Sequence, residues 1–367
     1  MKDLAYFSAK KAYSKNDSFL QSRDFINKLD HIDQMWEYLN HKNGNVLAVK
    51  NLRGKNKEEF NYSQLNKKIT KASKGFFNLG LQRGEVVSVI SENSPRWLIV
   101  DQAIMRIGAI NAVRGCNSPA IEIEYIIQHS KSVGLIIESR SVWDKLSIKN
   151  QIVENLKFLI VLEDESFGDF LGWNSFLEIG NENTSEQYEE LIDRCSADDI
   201  ATILYTSGTT GKPKGVPLSH ANFLHQITNL ACIADPKPGT SVLSVLPIWH
   251  SYERSAEYFF FSCGCSQFYT IPKFLKDDIK RIRPTVMATV PRLWEAIYDG
   301  FFGALKKMPK NKRNLISLLI RNSSTYKKNL RKIRNIDLYE TSFISKLISL
   351  FLVCLLYTSP SPRDLAQ

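Results

Sequence analysis

Residues 205–215 combine glycines, hydroxyl side chains and lysines in a way that suits a bound anion. The residues of this loop that can meet a phosphate are Thr206, Ser207, Gly208, Thr209, Thr210, Gly211, Lys212 and Lys214. Glycines let backbone N–H groups approach an anion with no Cβ in the way. Hydroxyls add donors and can reach a phosphate-bound Mg²⁺, and lysine brings a mobile positive charge. The composition predicts a phosphate-binding loop, with a flexible surface loop as the alternative.

The flanking sequence predicts the elements that hold this loop. Residues 200–205 are short, apolar and β-prone, which predicts a buried strand. Ser219 is a favoured N-cap, and residues 221–231 have a helical pattern. We therefore expect the order strand, glycine-rich loop and helix, as in α/β proteins that bind phosphate.

The spacing of the loop does not fit two common phosphate motifs. Gly208 and Gly211 are separated by two residues and Lys212 is followed by Pro213, unlike the P-loop of NTPases, and G-x-G-x-x-G is absent. The stretch instead resembles, almost residue for residue, the signature loop of the adenylate-forming (AMP-binding) superfamily. That superfamily includes acyl-CoA synthetases, luciferases and peptide-synthetase adenylation domains. The resemblance implies ATP and Mg²⁺ as cofactors, with Thr206 contacting the metal or a phosphate.

A second group of candidate residues follows an apolar strand pattern at 241–246. Pro247 ends the strand, and side chains just beyond a strand end can project into a crevice. By residue type alone, a lone histidine such as His250 is more often structural, and the alternative for Trp249 is packing in the core. Members of the family carry an aromatic residue and then histidine here, beside the acyl carboxylate. The resemblance therefore implies His250 as the catalytic residue and Trp249 as a border of the substrate pocket.

Two further segments narrow the resemblance. Residues 249–254 and 290–295 resemble those of long-chain fatty-acid activating enzymes, in particular the acyl-acyl-carrier-protein synthetases and long-chain acyl-CoA synthetases of bacteria and plastids. This implies that ATP activates a long-chain fatty acid to acyl-AMP. The acyl group then passes to coenzyme A or to the phosphopantetheine of acyl carrier protein. The alternatives are a nucleotide-binding module without chemistry and an adenylation domain for another carboxylic acid.

The chain alternates between strand and helix patterns, which predicts an α/β fold with mostly parallel sheets flanked by helices. Predicted strands lie at 46–49, 85–90, 134–137, 158–162, 268–271 and 285–290. Predicted helices lie at 62–79, 95–107, 121–129 and 275–282, with another starting at Pro291. We assign residues 46–354 to a large adenylation domain, after an N-terminal extension at 1–45.

The character of the chain changes near its end. Residues 347–357 are apolar but too few to span a membrane, and residues 355–367 suggest a non-native or disordered tail. Several elements found downstream in the family have no counterpart here: a Tyr-Gly-x-Thr-Glu motif, a ribose-binding aspartate, a hinge and a small lysine-bearing C-terminal domain. We therefore expect a truncated chain that is inactive and poorly stable by itself, whereas its complete parent is a ligase.

Charge is concentrated in one segment of the 367-residue chain. Residues 301–346 hold twelve Lys or Arg and two acidic residues, which accounts for the whole net charge of +10. A solvated helix face, a membrane surface and an acidic carrier protein are the interpretations of this segment, and we predict no nucleic-acid partner. Six cysteines without metal-ligand spacing indicate reduced thiols. We expect a cytoplasmic protein, with peripheral membrane attachment and a plastid location as alternatives.

Overall fold

A computed structural model describes residues 23–53, 58–181, 186–206, 212–231 and 234–333, with residues 345, 348 and 349. Within these residues the chain divides into two compact units, of which the larger runs to Ala288 and the smaller begins at Thr289. The predicted tail at 355–367 and the central loop residues 207–211 lie outside the described residues.

The larger unit contains a six-stranded and a four-stranded sheet. The strands are β1 (Leu47–Asn51), β2 (Glu59–Asn61), β3 (Val86–Ile90), β4 (Ile110–Arg114), β5 (Gly134–Ile137), β6 (Phe158–Val161), β7 (Ile200–Thr206), β8 (Lys214–Ser219), β9 (Ser241–Ser244) and β10 (Ser266–Tyr269). Their order is β6-β5-β3-β4-β7-β8 in the large sheet and β2-β1-β10-β9 in the small one. Among the strand pairs of the described residues, β7–β8 and β1–β2 are antiparallel and the others are parallel. This confirms the predicted α/β fold with mostly parallel sheets.

Helices cover the sheets of the larger unit and form the described part of the smaller one. Those of the larger unit are α1 (Met35–Asn43), α2 (Tyr62–Asn78), α3 (Pro95–Arg106), α4 (Ala120–His129), α5 (Arg140–Asp144), α6 (Lys149–Val153), α7 (Trp173–Ile179), α8 (Glu186–Asp193), α9 (His220–Leu230), α10 (Ser251–Ser262) and α11 (Leu275–Ile282). Short 3₁₀ turns lie at Asp24–Lys28, Ile32–Gln34 and Pro272–Phe274. The smaller unit contains α12 (Pro291–Lys306) and α13 (Lys310–Ile333).

Helix α3 is the centre of the larger unit. It begins where the sequence predicts, with Pro95 at its first turn and the Ser94 side chain accepting a hydrogen bond from the Trp97 N–H. All of its residues are buried. The helix contacts β4 of the large sheet and β1 of the small sheet, and α2 packs beside it. A helix buried on every side belongs to the interior of a protein, and α3 therefore joins the two sheets into one core.

The segment assigned to an N-terminal extension also contributes to this core. Trp36, Met35 and Ile32 are each at most 1% exposed and belong to the same apolar cluster as α2 and α3. The Trp36 Nε1 donates to Gln102 Oε1 of α3 at 2.7 Å. Residues 23–45 are thus folded together with the sheets that follow them in the sequence.

Strand β4, a central strand of the large sheet, is absent from the sequence-based prediction. Asn111 interrupts the apolar pattern of this strand. In the folded chain the Asn111 amide is buried and donates to Asp101 Oδ1 at 2.7 Å, a partner that the local sequence does not reveal. Gly108 lies in the turn that precedes the strand, with φ of +69°, and a Cβ there would lie 2.8 Å from the Cys195 Sγ. Glycine is therefore required at this turn by both conformation and space.

The predicted strand at 285–290 is wrong. Only Val286 of this segment forms a bridge, to Val242 of β9, and Thr285 is exposed. Strand β9 is at the edge of the small sheet, and the residues after Val286 leave it to line a cavity. An apolar, β-branched run can therefore serve as a cavity wall as well as a strand, and its pattern alone does not separate the two.

Candidate active site at the carboxyl edge of the large sheet

Three neighbouring strands of the large sheet end side by side. Ile90 of β3 pairs with Arg114 of β4, and Val113 of β4 pairs with Leu204 of β7. Because these strands are parallel, their carboxyl ends lie at one edge of the sheet, where open α/β sheets bind ligands. Arg114 and Thr206 end their strands at this edge.

The predicted phosphate loop connects two strands of a hairpin. Thr206 at the end of β7 pairs with Lys214 at the start of β8, and both side chains are exposed. Ser207, Gly208, Thr209, Thr210 and Gly211, which connect them, lie outside the described residues. The expected strand–loop–helix order is thus corrected: Ser219 caps α9 as predicted, but β8 separates that helix from the loop. The N-terminus of α9 therefore does not directly follow the loop, and the predicted phosphate site does not include it.

Lysine and arginine side chains give this edge a positive character. Lys212 and Lys214 are exposed, and the Lys212 Nζ lies 6.0 Å from the centre of the Tyr125 ring on α4. Arg114 forms an ion pair with Glu122 at 2.7 Å and donates to the Tyr205 carbonyl at 3.1 Å. Its Nε is buried and has no hydrogen-bond partner among the described residues. The guanidinium is thus anchored to β7 and keeps one donor unused.

Trp249 and His250 reach the same edge from the small sheet. The Trp249 ring lies against Gly115, the residue after β4, so closely that a Cβ at position 115 would be 2.5 Å from the indole Cη2. His250 is exposed at the N-cap position of α10. Partial desolvation of its ring and the positive charge of Arg114 lower the pKa of His250. The imidazole is therefore neutral at pH 7 and able to donate one hydrogen bond.

An apolar cavity opens beside His250, between α9 and α10. Its volume is about 730 Å³, within the range of about 300–1,000 Å³ that is typical of small-molecule pockets. Ser251 and Tyr252, the two residues after His250, lie at its wall. The apolar part of the lining consists of Leu218, Phe223, Leu230, Ala234, Ala256, Phe259, Phe260, Val286, Met287 and Ala288. The lining is therefore largely apolar, with polar side chains at Asn222, His225, Gln226, Ser251 and Ser255.

A buried polar network lies behind the site. Arg254 of α10 is 0% exposed, forms an ion pair with the equally buried Asp101 of α3, and donates to Thr202 of β7 at 2.8 Å. The Tyr258 hydroxyl also donates to Asp101. A charge buried this deeply requires an opposite charge and further hydrogen bonds. The network fixes α10, and with it the cavity wall, to both α3 and the large sheet.

Sequence reasoning gave no role to Arg114, to the Asp101–Arg254 pair or to Asn93, whose side chain follows β3 and hydrogen-bonds to Leu246 and Ile248. One signal was present for Arg114, since it ends a short run that begins at Ile110 and is followed by a glycine. The distance along the chain hid the others: Asp101 and Arg254 are 153 positions apart. The structure brings Thr206, Lys212, Lys214, Trp249 and His250 to one edge of the larger unit, while their roles stay predictions.

Four cysteines of the described residues, Cys116, Cys195, Cys263 and Cys265, have free thiols, and Cys232 and Cys354 lie outside those residues. In that part of the chain, no three His, Cys, Asp or Glu side chains come close enough together to hold a metal ion. A cation at this edge would therefore depend on its ligand's own oxygens together with hydroxyls such as that of Thr206.

The fold is shared with solved structures of acyl-CoA ligases. The inhibitor-bound N-terminal domain of FACL13 from Mycobacterium tuberculosis superposes with a TM-score of 0.60 at 21% identity, covering 72% of this chain and 64% of that one. A long-chain-fatty-acid-CoA ligase, FadD1, from Archaeoglobus fulgidus gives 0.61 at 20% identity, covering 76% and 54%. At these identities the likeness shows the fold alone.

Relatives in sequence are named as acyl-activating enzymes and long-chain-fatty-acid ligases. The probable acyl-activating enzyme 16, chloroplastic, of Arabidopsis thaliana is 36% identical over 82% of this chain and 44% of its own length. The long-chain-fatty-acid–[acyl-carrier-protein] ligase AEE15, chloroplastic, of the same plant is 33% identical over 87% and 47%. The long-chain-fatty-acid–CoA ligase ACSBG2 of Mus musculus is 30% identical over 69% and 40%. The chain thus spans about half the length, or less, of these curated relatives.

Family membership rests on most of the chain. Residues 37–341 match the AMP-binding enzyme family, a range that contains the hairpin, the Trp249–His250 segment and both sheets. The chain belongs to the AMP-binding enzyme family.

Proposed function

We propose that the whole protein activates a long-chain fatty acid with ATP and transfers the acyl group to a thiol. The observation that carries this proposal is that the larger unit holds both a cationic hairpin at a sheet edge and an apolar cavity, whose wall includes Ser251 and Tyr252 directly after His250. A nucleotide with three phosphates needs the first feature and a fatty acyl chain needs the second. The names of the relatives, which include ligases for both acyl carrier protein and CoA, support the same chemistry.

The ATP end of the proposed site consists of the hairpin. Lys212 and Lys214 offer mobile cations, and hydrogen bonds between charged groups are about twice as strong as neutral ones. The Thr206 hydroxyl would meet a phosphate or a Mg²⁺ that arrives with the nucleotide. This ion would neutralise phosphate charge when bound. The glycines and hydroxyls of residues 208–211 would supply backbone and side-chain donors around the phosphates.

The fatty-acid end of the proposed site consists of the cavity and the residues at its mouth. Each buried methylene contributes about 0.8 kcal/mol, so a long chain gains most of its binding energy from the apolar lining. With the tail in the cavity, the carboxylate lies near Trp249 and His250. A neutral imidazole can donate a hydrogen bond to one carboxylate oxygen and leave the other free to react. The Trp249 ring limits the room for the head group on the Gly115 side.

The proposed reaction has two balanced steps. A carboxylate oxygen attacks the α-phosphorus of ATP, the bond from that phosphorus to the bridging oxygen breaks, and pyrophosphate leaves. The thiolate of coenzyme A or of a carrier-protein phosphopantetheine then attacks the acyl carbonyl, and AMP leaves with the bonding electron pair. The fixed cations and donors at the edge stabilise the charge that develops on the phosphates in the first step.

Fatty-acid-dependent exchange of labelled pyrophosphate into ATP tests the proposal on the full-length protein. We expect exchange with acids of 12 to 18 carbons and none with acetate or an amino acid, since these leave the cavity empty. Exchange driven by an amino acid would favour the adenylation domain for another acid. Tight ATP binding without exchange for any acid would show a nucleotide-binding module. Adding coenzyme A or acyl carrier protein in turn identifies the acceptor.

We also infer a peripheral membrane contact through the basic segment. Helix α13 contains eight Lys or Arg and no acidic residue, and Leu315, Leu318 and Ile320 are exposed on it. Basic amphipathic helices bind anionic lipid surfaces. No helix in the described ranges has the length and apolar character needed to cross a membrane.

Co-sedimentation with vesicles tests this contact. We expect binding to vesicles with anionic lipid, little binding to neutral vesicles, and a loss of binding when Lys327 and Lys328 are both replaced by Glu. Equal binding to both vesicle types would contradict a contact with anionic lipid. Binding of α13 to acidic acyl carrier protein and to neither vesicle type would show that the helix binds the acyl acceptor instead. Cell fractionation decides between the cytoplasm and a plastid, the compartment printed in the names of both Arabidopsis relatives.

A further inference from the structure

We propose that Asn93 is a positioning residue, which holds the segment from Ser244 to Glu253 against the carboxyl edge of the large sheet. Asn93 lies three positions beyond the end of β3, and the segment joins β9 of the small sheet to α10. The inference rests on the proposed function, because this segment carries Trp249 and His250. It goes further by naming the group that sets their distance from the cationic hairpin.

The Asn93 amide uses both of its ends on this segment. Its Nδ2 donates to the Leu246 carbonyl at 2.8 Å and to the Ser244 Oγ at 3.3 Å. Its Oδ1 accepts from the Ile248 N–H at 3.0 Å. The backbone partners lie on either side of Pro247, which has no N–H of its own. One side chain from the large sheet thus satisfies the backbone on both sides of a proline turn in the small-sheet segment.

A second contact closes the segment on itself. The Ser244 Oγ donates to the Glu253 Oε1 at 2.6 Å, and both residues are only 2% exposed. Ser244 is the last residue of β9 and Glu253 lies in the first turn of α10. The segment between them is therefore a closed loop, and Asn93 is its side-chain tie to the end of β3.

A packing contact one strand away also holds the segment. The Trp249 ring lies against Gly115 at the end of β4, the strand next to β3. The Asn93 hydrogen bonds after β3 and the packing of Trp249 against Gly115 after β4 together fix the position of His250. Misplacement of reacting groups by about 1 Å can cost about a hundredfold in rate. A group that fixes this distance therefore matters for the reaction without touching a substrate.

Two substitutions separate the halves of the Asn93 contact, and a third is the matched control. Asn93→Ala removes donor and acceptor, whereas Asn93→Asp keeps the acceptor for Ile248 and places a carboxylate oxygen against the Leu246 carbonyl. Asn78→Ala is the control, since the Asn78 Nδ2 donates to the Ile179 carbonyl at 3.0 Å and ties α2 to the end of α7. Asn78 is also partly buried, and its side-chain hydrogen bond goes to Ile179 rather than to the 244–253 segment.

Hydrogen exchange read by mass spectrometry tests the inference directly. In Asn93→Ala we expect exchange in peptides covering residues 244–250 to rise at least about tenfold, because the Ile248 N–H loses its acceptor. Asn93→Asp should raise it less. Asn78→Ala should leave these peptides unchanged. Unchanged exchange at 244–250 in Asn93→Ala, or an equal rise across the whole core, would overturn the inference.

Palmitate-dependent pyrophosphate exchange on the full-length protein supplies a functional readout. We expect Asn93→Ala to lower kcat/KM for palmitate by about tenfold to a hundredfold and to change the KM for ATP by less than about threefold. Equal losses in Asn93→Ala and Asn78→Ala would show a merely structural role and refute positioning. If the unsubstituted protein shows no exchange, the proposed function fails, and hydrogen exchange still decides whether Asn93 fixes the segment.

Discussion

Charged side chains of the larger unit are held under opposite conditions in two places. Asp101 and Arg254 are 0% exposed and are surrounded by hydrogen-bond partners between the two sheets. In contrast, Lys212 and Lys214 of the β7–β8 hairpin are exposed at the sheet edge. The first set uses its charges on other parts of the chain, and the second leaves them available to a ligand.

This difference separates stability from function. Removing one partner of a buried ion pair leaves a charge without compensation in a medium of low polarity, which is costly. Removing an exposed lysine leaves nothing buried and unsatisfied, so the fold is little affected. We therefore expect substitutions in the network to act on folding and those in the hairpin to act on ATP. The predictions below follow the expected change in the free energy of unfolding, from the largest to the smallest.

Asp101→Ala should have the largest effect. It removes the carboxylate that pairs with Arg254 and accepts from Asn111 and Tyr258. We expect a loss of about 3–5 kcal/mol in the free energy of unfolding, measured by urea denaturation. The control is Asp144→Ala, which breaks a surface pair with Arg140 and should cost about 0–1 kcal/mol. Similar losses in the two variants would contradict the contrast between buried and exposed charge.

Glu253→Gln should change how stability depends on pH. Burial raises the pKa of Glu253 from 4.5 to about 7, against the hydrogen bond from Ser244. Because the folded pKa is the higher one, the neutral carboxyl contributes fully below pH 4.5, and this contribution is lost as the pH rises toward 7. Relative to the variant, the unsubstituted protein should lose up to about 1.4 kcal/mol per pH unit across this window. Parallel stability curves from pH 4.5 to 8 would show that Glu253 is not held neutral.

Gly115→Ala tests the packing of Trp249 against the residue after β4. The new methyl group would stand 2.5 Å from the Trp249 ring, so the indole has to move. Overpacking of this kind costs about 1–3 kcal/mol, which denaturation followed by tryptophan fluorescence would measure. Gly300→Ala is the control, because nothing lies within 4 Å of a Cβ there and alanine favours its helix. A Gly115→Ala protein as stable as the original would mean that Trp249 does not pack against position 115.

Lys214→Ala should have the smallest effect on stability and a large one on ATP use. The side chain is exposed, so the free energy of unfolding should change by less than about 0.5 kcal/mol. Losing one charge-assisted phosphate contact costs about 1.5–3 kcal/mol, or roughly tenfold to a hundredfold in kcat/KM for ATP. Pyrophosphate exchange on the full-length protein measures the loss, with exposed Lys280→Ala as the control. Unchanged kinetics would place the Lys214 side chain in solvent and contradict its role at the phosphates.

The sequence predicted most elements of the larger unit, because their signals are local. Helix α2 illustrates this, with a capping box between Asn61 and Gln64 and a buried stripe from Leu65 to Phe76. Two of the errors have one cause. Asn111 hid β4, and the apolar run at 285–290 imitated a strand, because neither pattern shows what the segment packs against.

For the candidate site, the sequence by itself determined the chemistry of the hairpin. Glycine, hydroxyl and lysine side chains carry that chemistry in their own atoms, and eleven adjacent residues are enough to recognise it. Only the tertiary structure decided which distant residues hold the rest of the candidate site in place. Asn93 and Ile248 are 155 positions apart and Asp101 and Arg254 are 153 apart, so no local pattern couples them. Such pairs form because two sheets pack around α3, and packing depends on the whole chain at once.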